Sequence, residues 1–109
     1  SPVQAVVIPI ADRHANYGRG VIDRLAAGGL RVELDDRSER MNRKIRDAQL
    51  QKVPYMLIVG DRDIEAAKVS VRLRTGEDLG AISVDVFLAA VHHVIESRAH
   101  DTLGFDSAA

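Results

Sequence analysis

VQAVVIPI, residues 3–10, is the stretch of the sequence that decides the fold class. It is an almost continuous apolar run rich in β-branched residues, which is typical of a strand buried on both faces inside a parallel sheet. Pro9 has no backbone N–H to donate to a neighbouring strand, so we expect the regular strand to end there. The sequence therefore opens with a central strand of an α/β domain.

Helices and strands alternate outward from this strand. The next segment carries apolar residues at helical spacing and ends at Gly28-Gly29, and LRVEL at residues 30–34 alternates like a half-buried strand. Ser38 is predicted to cap a second helix, whose core face carries Met41, Ile45 and Ala48. Both helices are placed to cover the sheet.

Three further strands and a helix follow Pro54, which cannot continue the second helix. YMLIV at residues 55–59 is a second buried strand, KVSVRLR at 68–74 alternates, and a turn leads to a short strand at 79–82. Ser83 is predicted to cap the last helix. The order β-α-β-α-β-β-β-α predicts an α/β fold with parallel strands at the centre of its sheet.

Length and composition indicate one soluble domain. The chain has 109 residues, of which 46% are hydrophobic and 28% charged, as in ordinary globular proteins. It has no cysteine, which excludes disulfides and thiolate metal sites. No apolar run approaches the ~20 residues that span a bilayer, and no secretory signal is evident, so we expect a cytoplasmic protein without a membrane partner.

Charge is unevenly distributed along the chain. The formal net charge is −1, but residues 37–52 contain six basic and two acidic side chains, which is +4 and leaves −5 for the rest. Such a segment can be a phosphate-facing surface or simply a solvated helix face.

Motifs for catalysis and metal binding are missing from the sequence. There is no GxGxxG after a strand, no phosphate-binding GxxxxGK[ST] loop and no GxSxG elbow. His92 and His93 are adjacent on a helix and diverge too far to chelate one ion. Asp35 and Asp36 could hold Mg²⁺, but a role in a turn or cap is favoured. We predict no catalytic residue and no metal site.

Arginines are the remaining chemical signal. Arg72 and Arg74 share the outward face of one predicted strand, and the second helix supplies Arg43 and Arg46. Guanidinium groups bind phosphates and base edges through two hydrogen bonds, and single-stranded RNA loops are recognised by such contacts. Because only four aromatic residues are present, we expect contacts to base edges and backbone rather than a stacking groove.

Residues 44–87 carry a more specific signal. The segment VPYMLIVGD at residues 53–61, followed by VRLRTGEDLG at 71–80, resembles the C-terminal anticodon-binding domain of threonyl-tRNA synthetases, which are class II enzymes. The resemblance extends to the opening SPVQAVVIPI and covers about residues 1–98. It implies a five-stranded mixed sheet with three helices. It also implies the anticodon stem-loop of threonine tRNA as partner, not DNA.

Positions that contact the anticodon in that family can be matched to this chain. The family's Asn-Glu pair at the start of the second long helix corresponds to Ser38-Glu39, where serine lacks the two-sided amide. Three further positions implied as contacts are Arg46, Asp63 and Arg72. Neighbouring residues expected to support them are Glu39, Arg43, Glu65 and Arg74.

The resemblance also implies what this chain lacks. Residues 1–100 are assigned to the anticodon-binding domain and 101–109 to a disordered tail. The catalytic domain, with its ATP, Mg²⁺ and Zn²⁺, is absent, so the chain alone should be non-catalytic. The parent enzyme is expected to dimerise through other domains. Two other hypotheses remain: an accessory module of this fold that docks on a protein, and a small flavodoxin-like enzyme or receiver.

Overall fold

A computed structural model describes residues 3–102 of the chain and the side chains of residues 3–94. Five strands form one sheet: β1 (Ala5–Pro9), β2 (Val32–Leu34), β3 (Tyr55–Val59), β4 (Lys68–Leu73) and β5 (Asp78–Ser83). The helices are α1 (Ala15–Ala27), α2 (Met41–Leu50), α3 (Asp61–Ala66) and α4 (Val84–Thr102), and a 3-10 turn (Asp12–His14) precedes α1.

The sheet is mixed, as predicted. Its strand order is β2-β1-β3-β4-β5, in which β1 pairs in parallel with β2 and β3, while β4 is antiparallel to β3 and β5. The right-handed crossovers of the parallel part place helices on both faces of the sheet. The strand VQAVVIPI therefore lies near the centre, and its regular part ends at Pro9 as expected.

Alternating side chains of the central strands fill two separate cores. Ala5 and Val7 of β1 face α1 and α4, in a core that also contains Leu57 and Phe87. On the opposite face, Ile8 packs with a cluster that includes Met56 of β3 and the apolar residues of α2. Since β1 is buried on both faces, its continuous apolar sequence is explained.

The predicted start of the second helix is wrong. This helix begins at Met41 with Arg40 at the N-cap, so Ser38 lies in the preceding loop and caps nothing. Asp35 accepts hydrogen bonds from the backbone N–H and the guanidinium of Arg37, and this local turn delays the helix. The prediction that the acidic pair has a turn role is confirmed for Asp35.

The short helix α3 was not predicted from the sequence. Its six residues, DRDIEA, are too few to show a helical period. Its first turn is closed by Asp63, whose Oδ2 accepts the Gly60 N–H at 3.0 Å. Ala67 then ends it with a left-handed φ of 57°.

The last helix is capped as predicted, since Ser83 Oγ accepts the N–H of Val86 at 3.1 Å. Val84, Phe87 and Val91 are buried against the sheet. The helix continues to Thr102, and residues 103–109 of the predicted tail lie outside the described residues, as does the side chain of Ile95.

Candidate functional site

One surface of the domain runs between α2 and β4. Gln49 Nε2 donates to the backbone O of Arg74 at 3.3 Å, which joins the end of α2 to the end of β4. Both elements run in the same direction, away from the carboxyl ends of the parallel strands. We call this face, with Arg46 and Gln49 of α2 and Arg72 and Arg74 at β4, the α2–β4 surface.

Arg46 and Arg72 lie on the two elements that this contact joins. Arg46 precedes Gln49 by three residues, about 4.5 Å along the helix axis. Arg72 precedes Arg74, the first residue after β4, by two residues, at most about 7 Å. Along their own backbones, both arginines therefore lie within about 7 Å of the hydrogen bond between Gln49 and Arg74, on the same part of the surface.

These two arginines are weakly engaged by protein acids. The Arg72 side chain is 34% exposed, and its nearest carboxylate oxygen, on Asp78, lies 3.8 Å away, beyond hydrogen-bond distance. Arg46 is exposed and forms no ion pair within the described part of the chain. Arg43, by contrast, pairs with Asp47 at 3.4 Å on the side of α2 that faces Arg37.

Asp63 is held by the protein rather than by solvent. It is only 7% exposed. Its Oδ2 caps α3, and its Oδ1 accepts the hydroxyl of Ser70 at 2.9 Å. Each oxygen has one protein partner and a second lone pair, so burial, rather than a lack of acceptor capacity, restricts contact with a base. Its predicted RNA contact stays a prediction, while Glu65, on the same helix, is exposed.

Ser38 and Glu39 lie at the other end of α2. Both are exposed and line a cleft of about 150 Å³ beyond the carboxyl ends of β1 and β2, together with Ile10 and Lys44. Lys44 is 6% exposed, and its Nζ donates to the backbone O of Asp35 at 3.1 Å. The structure thus separates this cleft from the arginine pair, although both were predicted to contact one ligand.

An ionic cluster fixes α3 beside the first crossover. Asp61 accepts hydrogen bonds from Arg13 at 2.8 Å and from the buried His14 at 2.6 Å. His14 Nδ1 accepts the Ala11 N–H, so its proton is on Nε2 and points at Asp61. The Arg13 hydrogen bond, then that of His14, lowers the pKa of Asp61 from 3.8 to about 2.

Two residues next to the predicted contacts were not predicted from the sequence: Gln49 on the α2–β4 surface and Lys44 in the cleft with Ser38. Gln49 follows Arg46 at i+3 and could have been placed by helical spacing. Lys44 occupies a core-facing position between the apolar residues 41 and 48, which is an unusual place for lysine. Neither can be assigned a partner from sequence, because the carbonyls they bind belong to Arg74 and Asp35.

Within the described residues, no group of three or more His, Asp or Glu side chains is arranged to hold a metal ion. No described helix is both long and apolar enough to cross a membrane.

Comparison with known proteins identifies the domain family to which the chain belongs. Residues 4–93 match the family model described as "Anticodon binding domain". Since this match spans most of the chain, the chain belongs to the anticodon-binding domain family.

The particular relatives are threonine–tRNA ligases. The chain is 52% identical over 99 residues to that of Caldanaerobacter subterraneus subsp. tengcongensis, and 56% identical over 84 residues to that of Natranaerobius thermophilus. These matches cover 91% and 77% of this chain but only 15% and 13% of the relatives. The predicted resemblance to the threonyl enzymes is confirmed.

Solved structures agree with this assignment. The RNA-binding domain of threonyl-tRNA synthetase from Cryptosporidium parvum Iowa II superposes with a TM-score of 0.76 at 30% identity, covering 83% of this chain and 23% of that one. Histidyl-tRNA synthetase from Nostoc sp. PCC 7120 gives a TM-score of 0.79 at 20% identity, covering 87% of this chain and 23% of that one, and shows the shared fold alone.

Proposed function

We propose that this domain binds the anticodon loop of threonine tRNA, so that a catalytic domain of the same enzyme can aminoacylate that tRNA. The observation that carries the proposal is the α2–β4 surface. There, Arg46 and Arg72 lie near the contact between Gln49 and Arg74, and neither has an acidic side chain within hydrogen-bond distance among the described residues. Family membership supports anticodon binding, and the threonine–tRNA ligase relatives support threonine as the amino acid of the tRNA.

In this proposal Arg46 and Arg72 contact base edges or backbone of the loop. Each guanidinium can donate two parallel hydrogen bonds, and an arginine without a close acid partner gives up little interaction energy within the protein when it binds RNA. Because Asp63 is buried and hydrogen-bonded to Ser70, its main role in this proposal is to support β4. Ser38 and Glu39 contact a nucleotide at the far cleft, and Arg43, Glu65 and Arg74 support these contacts.

The remaining properties belong to the part of the enzyme outside this chain. The chain spans about 15% of the length of the curated relatives it matches. We propose that ATP, Mg²⁺ and Zn²⁺ bind in that other part, that the enzyme dimerises there, and that it acts in the cytoplasm. This chain alone should form no aminoacyl-adenylate.

Binding to stem-loops of RNA tests the proposal. The full chain is titrated with a stem-loop carrying an NGU anticodon and with loops changed one base at a time. Arg72→Ala should weaken binding to the NGU loop by about 1–3 kcal/mol, roughly 5- to 150-fold, and relax the preference at one position. Arg24→Ala, on α1 at the opposite face of the sheet, removes the same charge and should leave the preference unchanged.

Equal binding to NGU and scrambled loops would overturn the anticodon assignment. Failure to bind any stem-loop would favour the accessory protein-docking hypothesis instead. A thermal shift on adding flavin or nucleotide would favour the flavodoxin-like hypothesis.

A further inference from the structure

The helices α1 and α2 end in the same backbone motif with different residues. After α1, the N–H groups of Gly29 and Leu30 donate to the O atoms of Ala26 and Leu25, and Gly29 has a φ of 95°. This is the Schellman arrangement, whose left-handed residue is usually glycine because a Cβ is disfavoured there.

After α2 the left-handed position is occupied by Lys52. Its N–H donates to Gln49 O at 3.0 Å, the N–H of Val53 donates to Ala48 O at 3.0 Å, and φ of Lys52 is 63°. Lysine is disfavoured in this conformation relative to glycine. A residue that costs stability where glycine fits is a candidate for a role outside folding, although its charge also suits a helix C-terminus.

Lys52 lies beside Arg74, at the end of the α2–β4 surface near the amino ends of the parallel strands. Both border one open hollow together with Gln4 and Thr75. The Arg74 N–H donates to the backbone O of Pro54 at 3.1 Å. Since Pro54 follows Lys52 by two residues, this bond holds the backbone of Arg74 close to Lys52. Glu77 lies in the same hairpin turn as Arg74 and offsets its charge. The net positive charge of this corner, formed by Lys52 and Arg74, therefore depends on Lys52.

The two ends of the α2–β4 surface differ in charge. At the end near the carboxyl edge of the parallel strands, the cleft is lined by the acidic Asp12, Asp36 and Glu39 but also by the basic Arg37 and Lys44. The hollow at the opposite end is lined by Lys52 and Arg74 and, among the residues that the structure describes, by no acidic side chain. Phosphates are therefore attracted more strongly to the opposite end. An RNA whose loop lies at Arg46 and Arg72 is therefore expected to direct its phosphate-rich stem toward Lys52 and Arg74.

We propose that Lys52 and Arg74 form a second contact, which binds phosphates of the anticodon stem, whereas Arg46 and Arg72 bind the loop. This inference rests on the proposed function and adds a stem-binding corner to it. Phosphate contacts position an RNA without selecting its sequence. The contact should thus contribute affinity but no base preference.

The substitution Lys52→Gly tests the inference because it should change stability and binding in opposite directions. Relief of the left-handed φ should raise the Tm of the full chain by about 3–8 °C. Affinity for the NGU stem-loop should fall about three- to tenfold, equally for loops of changed sequence, and the slope of log K against log salt should decrease by about 1. An isolated loop oligonucleotide without the stem should bind both proteins equally.

Ala67→Gly is the matched control. Ala67 has a φ of 57° at the end of α3, so this change should also raise the Tm while leaving RNA binding unaltered. If Lys52→Gly binds the stem-loop as tightly as wild type with the same salt slope, the stem contact is refuted and the proposed function stands. Loss of affinity confined to particular loop sequences also refutes it. If the wild-type chain binds no stem-loop, both proposals fall.

Discussion

Replacement of Asp63 separates a structural role from a direct contact with RNA. In Asp63→Ala the buried Gly60 N–H loses its acceptor and the Ser70 hydroxyl loses its partner. Two lost hydrogen bonds, one of which leaves a buried donor unsatisfied, cost about 2–3 kcal/mol. For a domain of this size that lowers the Tm by about 10–20 °C, which differential scanning calorimetry measures directly.

Asp63→Asn should behave differently because the amide keeps both partners. Its oxygen can accept the Gly60 N–H and its NH₂ group can donate to Ser70 Oγ. The loss of negative charge in the first turn of α3 costs only about 0.3–1 kcal/mol. We expect this variant to remain folded and to bind the NGU stem-loop within about twofold of wild type.

Ser70→Ala provides the partner experiment, since a double-mutant cycle with Asp63→Asn isolates the coupling between the two side chains. The reasoning is refuted if Asp63→Asn stays folded yet changes which base is preferred. That result would show a carboxylate that contacts the loop, as the family resemblance implies. A decrease in Tm of less than about 2 °C for Asp63→Ala would equally refute the structural role.

Two further predictions concern the stability of the fold. Because the pKa of Asp61 is lowered from 3.8 to about 2, its ion pair with Arg13 and its hydrogen bond from His14 stabilise the fold above pH 4 and are lost as pH falls toward 2; Asp61→Asn should therefore reduce the decrease in Tm between pH 5 and 2, and an unchanged acid profile would contradict it. In Gly28→Ala the new Cβ would lie 2.6 Å from Leu88 Cδ2, so we expect a loss of about 1 kcal/mol that Leu88→Ala partly reverses, measured by urea unfolding.

The central strands could be predicted because the pattern of apolar residues in each strand reflects which of its faces are buried. VQAVVIPI and YMLIV are apolar without alternation, and both proved to be parallel strands near the centre of the sheet. KVSVRLR alternates, and β4 buries Val69 and Val71 while Arg72 stays partly exposed. Burial on one or both faces leaves a direct pattern in the sequence.

The start of α2 and the presence of α3 were not predicted correctly, because both are set by local hydrogen bonds. Serine is a common helix N-cap, which is why Ser38 was predicted as one. Instead, Asp35 accepts the Arg37 N–H in a turn before the helix, and α2 begins at Met41. Similarly, α3 depends on one bond between Asp63 and Gly60 and has no periodic signal. Such competition between nearby side chains and backbone groups is not visible in residue types alone.

The hydrogen-bonding groups of the α2–β4 surface bear on how it can select a base. Arg46 and Arg72 present only donors. Every base has acceptor atoms, such as N7 of guanine and adenine or O4 of uracil, so these donors can bind a base or a phosphate without fixing which base is preferred. Acceptors also lie on or beside this surface: Oε1 of Gln49, whose NH₂ group is the one engaged by Arg74 O, and the carboxylate of Asp78, 3.8 Å from Arg72. Base preference therefore depends on how the arginines combine with these acceptors, which titration with loops changed one base at a time measures directly.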